Sequence, residues 1–82
     1  MVNRADTSTD NAVTAFQKRW PSFQAFADDA GCSYGSAQLM RYRNAIPPKY
    51  DLAIAKAAAR RRIGKQKIIL NELYEMREGA PV

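Results

Sequence analysis

The chain of 82 residues has room for one domain with a single modest core, and too little for a cofactor-binding domain beside a catalytic one. A hydrophobic content of 46% indicates a folded protein, while one cysteine and no histidine exclude an intrachain disulfide, a Cys/His zinc site and histidine-dependent catalysis. The net charge of +5 comes from a central block, because residues 41–67 hold nine Lys/Arg against one Asp/Glu, and such a block favours a polyanionic partner, nucleic acid above all.

Helical spacing begins after residues 1–9, which are polar, without a pattern, and predicted to be an N-terminal tail. The first predicted helix starts at Asp10 or Asn11 as N-cap and ends before Pro21. It repeats large side chains at i, i+3, i+4 and i+7, namely Val13, Phe16, Gln17 and Trp20. We expect Trp20 to anchor the core.

A second helix of about two turns is predicted after Ser22, which can act as its N-cap. Gly31 is placed to take the left-handed conformation that closes this helix. Ser33 offers a new N-cap only two residues later, so a third helix is predicted over residues 34–43. The sequence NAIPP at 44–48 then ends it, since proline disfavours helical geometry in the residue before it.

Two more helices are predicted, an alanine-rich one over about 48–63 and a last one over about 65–77, interrupted by Gly64. A continuous helix stays open, because one glycine costs only about 1 kcal/mol. Ile69, Leu73 and Met76 lie on one side of the last helix, either as a core face or as a dimer face. We predict the dimer face, since one short recognition helix buries too little surface to be selective.

Together these elements predict an all-α fold, a small bundle of four to five helices. Residues 10–63 form its helix-turn-helix domain, residues 64–78 a C-terminal dimerisation helix and residues 79–82 a tail. No uncharged run approaches the roughly 18 apolar residues of a membrane span, and the polar N-terminus lacks a signal-peptide core. We therefore expect a cytoplasmic protein that uses no membrane.

Two short helices joined by a glycine-led turn at 31–33 have the arrangement of a DNA-binding helix-turn-helix. The angle between such helices must be filled by small or apolar side chains, and the sequence supplies Phe26, Ala27, Ala30, Cys32, Ala37 and Met40. The stretch FQAFADDAGCSYGSAQLMRY, residues 23–42, resembles the helix-turn-helix of the phage Cro and repressor family. The likeness covers about residues 12–63. It departs at Ala37, where Val or Ile is usual, and at Met40, where Trp or Ile is common.

A helical wheel separates the two sides of the predicted helix 34–43, because Ala37 and Met40 share one direction. The resemblance implies that the opposite side enters the major groove. Gln38 fits an adenine edge, Leu39 a thymine methyl, and Gly35 allows close approach. The predicted base-reading residues are Tyr34, Gly35, Gln38, Leu39 and Tyr42.

Contacts to the DNA backbone are predicted from hydroxyl and basic side chains. Arg41 and Arg43 are open to a guanine-reading role as well. The candidates are Ser33, Arg41, Arg43, Lys49, Arg60, Arg61 and Arg62. The arginines at 60–62 have a second interpretation as a soluble helix end at the negative pole of a dipole. Asp28 and Asp29 are interpreted as a solvated face or an ion pair, and Cys32 as a small buried hydrophobe.

The sequence therefore predicts a sequence-specific regulator that binds double-stranded DNA, a small repressor of phage or bacterial type acting as a homodimer. No enzymatic step, cofactor, metal or small-molecule ligand is expected. One alternative is an accessory factor of recombination or packaging that uses the same domain. Another is a protein–protein interaction module, and a third is a basic membrane-surface helix over residues 49–74.

Overall fold

The computed structural model describes residues 11–78, and in this range the chain forms five α-helices, one short 3₁₀ helix and no strand. The all-α bundle is confirmed, whereas the tails predicted at 1–9 and 79–82 lie outside the described residues. The helices are α1 (Ala12–Gln17), α2 (Phe23–Ala30), α3 (Tyr34–Arg43), α4 (Asp51–Arg60) and α5 (Gln66–Glu78), with the 3₁₀ helix at Pro48–Tyr50.

Side-chain caps fix where the first three helices begin. Asn11, Ser22 and Ser33 each accept a hydrogen bond from a backbone N–H three residues later, which satisfies a donor that the first turn leaves free. Gly31 ends α2 with a φ of 79°, in the left-handed region that favours glycine. The ends of the helices around the turn are thus set by residues that are close in sequence.

The core is organised around α2, which packs against both α3 and α4. Phe26 of α2 is fully buried between two aromatic rings of the first helical segment, Phe16 and Trp20. Both pairs meet edge to face, an arrangement that adds stability beyond the buried area. The prediction of Trp20 as a core anchor is confirmed.

The fourth predicted helix is shorter than expected at both ends. Its first three residues form the 3₁₀ helix, and its last turn ends at Arg60, after which Arg62 adopts a φ of 62°. Gly64 completes the break, as predicted. A Cβ added to Gly64 would lie 2.9 Å from Cδ1 of Ile69, so a larger residue here would require the Ile69 side chain to shift. The turn lets α5 fold back along α4.

The predicted dimer face at Ile69, Leu73 and Met76 is wrong for Ile69 and Leu73. Ile69 and Leu73 are each only 1% exposed and belong to the core of a single chain, and Met76 packs beside them, half-buried. Arg77 holds the end of α5 in place through an ion pair with Asp51, 2.6 Å between Nη2 and Oδ2. Ile69 and Leu73 are buried because α5 packs along α4 and covers its apolar surface.

Among the described helices, none combines the length and the apolar character that crossing a bilayer requires.

Leu73→Ala should therefore lower the free energy of unfolding by about 2–5 kcal/mol, the range for emptying a packed leucine site. The exposed Asn71 on the same helix provides a control, and Asn71→Ala should stay within about 0.5 kcal/mol of wild type. Urea titration followed by circular dichroism measures both. A Leu73→Ala protein of unchanged stability but halved sedimentation mass would contradict this packing and restore the dimer face.

Candidate nucleic-acid interface

The side of α3 that faces away from the core forms the candidate interface. Ala37 and Met40 are buried, as the helical wheel predicts, and the opposite side is exposed. We call this exposed side, made of Gly35, Gln38, Leu39 and Tyr42, the outer face of α3. Leu39 is 47% exposed and Tyr42 82%, values that are high for residues of this size. The outer face therefore presents two large, mainly apolar side chains beside one amide.

Tyr34 is also exposed, yet it has a partner within the chain. Its ring meets the ring of Phe23 at 4.7 Å between centroids and 81°, edge to face, so the start of α3 is tied to the start of α2. Beside this pair lies an open groove of about 570 Å³, lined by Phe23 and by exposed residues of α3. Tyr34 is therefore fixed at the edge of the outer face, and its predicted contact with a base would be made from there.

Arg41 is positioned by a residue that sequence analysis assigned only to the apolar stripe of the first helix, Gln17. The Gln17 side chain is buried; its Nε2 donates to the carbonyl oxygen of Ala37, and its Oε1 accepts from Nε of Arg41. The guanidinium then lies over the Phe23 ring, 4.2 Å from its centroid. Arg41 is therefore held at the side of α3 that faces the start of α2.

Two asparagines lock the end of α3 to the start of α1. Asn11 donates through Nδ2 to the carbonyl oxygen of Arg41, 2.7 Å away, while it also caps α1. In return, Asn44 accepts through Oδ1 from the backbone N–H of Val13. Asn44 has a φ of 52°, a conformation that asparagine tolerates better than most residues. Sequence analysis missed this clasp, for which the only local signal is the asparagine that begins the NAIPP break.

The predicted backbone contacts near the end of α3 come together in space. Arg43 and Lys49 are both exposed and line one shallow depression of about 170 Å³ next to Leu39. Ser33 is exposed at the start of α3, where its hydroxyl caps the helix and bonds Oγ of Ser36. Basic or hydroxyl groups therefore flank the outer face at both ends.

The arginines at 60–62 follow at the end of α4, and one of them, Arg61, has a partner on α2. Nε of Arg61 donates to Oδ2 of Asp29, an α2 carboxylate that also accepts from Nε1 of Trp20. The ion pair predicted as one alternative for this acidic pair is thereby found, and it joins α2 to the end of α4. Arg60, Arg61 and Arg62 are all exposed, and their contact with the DNA backbone stays a prediction.

The Asp29 carboxyl is the acidic group most affected by this arrangement. The hydrogen bond from Arg61 lowers its pKa, and the bond from Trp20 adds to the effect, against partial burial, which raises it. Burial likewise raises the pKa of the Cys32 thiol, so this half-buried cysteine is kept in its neutral form, as expected of a small hydrophobe. Residues 11–78 bring no three Cys, Asp or Glu side chains together as a metal site.

Comparison with known proteins adds no relative, since no protein-family model, no curated protein and no solved structure matches the chain.

The Asp29–Arg61 pair generates a prediction about acid stability. The folded-state pKa of Asp29 is lowered below its unfolded value of about 3.9. The pair therefore stabilises the fold at a pH above about 3.9, and this stabilisation is lost as the pH falls through the folded-state pKa. Asp29→Asn should therefore be less stable than wild type at pH 7, and the difference should shrink below about pH 4.

Thermal unfolding between neutral and acidic pH measures this difference, with Asp28→Asn as the control. Asp28 is exposed and its carboxylate accepts from the neighbouring Gln24 side chain, so its substitution should change the midpoint at pH 7 much less. A constant offset between Asp29→Asn and wild type at every pH would contradict the role assigned to the carboxylate.

Proposed function

We propose that the protein is a sequence-specific regulator that binds double-stranded DNA and inserts α3 into the major groove. The observation that carries this proposal is the outer face of α3, which is exposed, uncharged and rigidly backed by the core. An α-helix with its side chains is about 10–12 Å wide and the major groove is about 12 Å wide, so the two shapes match.

The charges around the outer face favour DNA over a protein partner. Residues 33–49 contain no acidic residue, and Arg41, Arg43 and Lys49 all lie within this range. The next carboxylate along the chain, Asp51, is paired with Arg77. Phosphates approaching α3 therefore meet positive charge at its border and no opposing carboxylate in the same segment. Such contacts position a protein on the duplex, while uncharged groups read base edges.

The residues of the outer face have the chemistry for such reading. Gln38 carries a donor and an acceptor that can bond together to an adenine, and Leu39 provides an apolar contact for a thymine methyl. Gly35 adds an independent argument, because a Cβ placed there would meet only Oγ of Ser33, at 3.9 Å. Packing within the chain does not require a glycine at this position, and glycine favours a helix less than alanine does. A glycine would let a partner approach this side of α3 closely.

A dimer on a pseudo-palindromic site, with half-sites about 34 Å apart, completes the proposal. Since Ile69 and Leu73 are used in the core, contacts between two copies would have to use exposed apolar side chains. Those on α4 and α5 are Leu52, Ile68 and Tyr74. Occupying a promoter would then repress transcription without an enzymatic step. A cytoplasmic site of action, where the DNA of a bacterium or phage is accessible, belongs to the same proposal.

Selection of bound duplexes from random DNA tests the proposal, with Gln38→Ala and Arg43→Gln compared against wild type. Gln38→Ala should change the selected sequence at one or two positions, costing about 1–3 kcal/mol on the wild-type site. Arg43→Gln should weaken binding to all sequences alike and reduce the salt slope by about 0.9.

Equal losses on selected and random DNA for both variants would contradict the division of roles. If wild type selects no sequence at all, the regulator proposal fails. If it does select sites, their symmetry reports whether the protein binds as a dimer.

A further inference from the structure

Gln17 is the one amide side chain that is buried within residues 11–78, and it is only 1% exposed. The other buried polar side chain in this range, Thr14, bonds Asn11 three positions away, whereas the Gln17 amide bonds two residues of α3 that are 20 and 24 positions away. A buried amide is costly unless it is bonded, and when bonded it adds only modestly to stability. An apolar side chain would therefore serve the core as well.

The two hydrogen bonds of Gln17 differ in what they contribute. Nε2 donates to the carbonyl oxygen of Ala37 at 3.3 Å, and Oε1 accepts from Nε of Arg41 at 2.5 Å. In an α-helix the Ala37 carbonyl also accepts from the backbone N–H of Arg41, so this carbonyl keeps a partner without Gln17. The Nε group of Arg41 has no such second partner. The contact that depends on Gln17 is therefore the one with the Arg41 side chain.

The Arg41 guanidinium is confined on one side and free at its end. Its Cζ lies 4.2 Å from the centroid of the Phe23 ring, and its Nε is taken by Gln17. Within residues 11–78, no group accepts from its terminal nitrogens Nη1 and Nη2, and no carboxylate pairs with it. Arg41 lines the same groove as Gln38 and Leu39 of the outer face. Two fixed donor groups are thus available beside the base-reading residues.

We propose that Gln17 is a positioning residue for DNA binding, which holds Arg41 so that its terminal nitrogens meet two adjacent acceptor atoms of the duplex. Such a pair is O6 and N7 of a guanine, or two oxygens of a phosphate. This inference rests on the proposed function, in which α3 enters the major groove. A side chain that is already fixed in the free protein loses less conformational freedom on binding, so the duplex is held more tightly.

A double-mutant cycle tests whether Gln17 acts through Arg41. Gln17→Met replaces the amide with an apolar side chain of similar length. Arg41→Lys keeps the positive charge and removes both Nε and the paired terminal donors. The two variants, the double variant and a control, Gln66→Met at an exposed position, are compared with wild type. Fluorescence anisotropy measures affinity for the selected duplex and for a random one, and thermal unfolding measures the midpoint.

Gln17→Met should keep its unfolding midpoint within about 5 °C of wild type, a small shift for a domain of this size. Its affinity for the selected duplex should fall about fivefold, and that of Arg41→Lys about tenfold. The double variant should bind within about twofold of Arg41→Lys, because the amide then has no arginine to position. Gln66→Met should bind as wild type does. Losses that multiply in the double variant would overturn the inference.

The random duplex distinguishes the two kinds of acceptor. A loss confined to the selected duplex, with a relaxed preference at one guanine, assigns the contact to O6 and N7. An equal loss on both duplexes assigns it to phosphate oxygens. Either result supports the role of Gln17, provided that the losses of Gln17→Met and Arg41→Lys follow the same pattern. A base-specific loss for one and a uniform loss for the other would contradict it.

Nuclear magnetic resonance of the free wild-type protein tests the positioning without any variant. The Nε–H proton of Arg41 should exchange with water about tenfold more slowly than that of Arg43, since only the former is hydrogen-bonded among the described residues. Equal exchange rates would overturn the inference.

The failures of the two proposals differ. Wild type that binds no selected duplex contradicts the regulator proposal and, with it, the role of Gln17 in DNA binding. Wild type that binds the selected duplex, together with a folded Gln17→Met variant that binds it equally tightly, contradicts only the inference.

Discussion

Complete burial of one side of α2 is the constraint on which the rest of this small domain depends. Phe26 and Ala27 have no exposed surface, and the other helices are arranged to cover them. Phe16 and Trp20 cover α2 from the first segment, and α3 and α4 both pack against it. Because a chain of this size has a single core, a loss in this contact affects every helix at once.

This constraint also decides which surfaces are left for binding. α3 contributes Ala37 and Met40 to the core and leaves the outer face exposed. The buried Gln17 amide links the core to the border of this face, because it bonds both the α3 backbone and the Arg41 side chain. Asp29 and Arg61 join α2 to the end of α4.

Local signals in the sequence were enough to predict where helices begin and end around the turn. Ser22, Gly31 and Ser33 act through contacts within three or four residues, so their roles follow from residue type and spacing. The orientation of α3 followed for the same reason, because Ala37 and Met40 define one side of a regular helix. These features place the outer face without knowledge of the other helices.

Features that depend on distant parts of the chain could not be predicted in this way. Periodicity identified the stripe containing Ile69 and Leu73 as apolar, but only the path of α5 after Gly64 shows that α4 and the core cover it. The same holds for Arg61, whose partner is 32 positions away, and for the clasp between Asn11 and the end of α3. The sequence therefore predicted which side chains are apolar or charged, and the packing of distant segments determined which of them are buried, paired or exposed.

The central claim is that the outer face of α3 serves contact with DNA at the expense of helix stability, and Gly35 tests it most directly. The measurement is the affinity of Gly35→Ala for the selected duplex, set beside its unfolding midpoint. The account predicts opposite changes, a gain of about 0.5–1 kcal/mol in folding stability and a loss in DNA affinity of tenfold or more. A variant that is more stable and binds the duplex as tightly as wild type would contradict the claim.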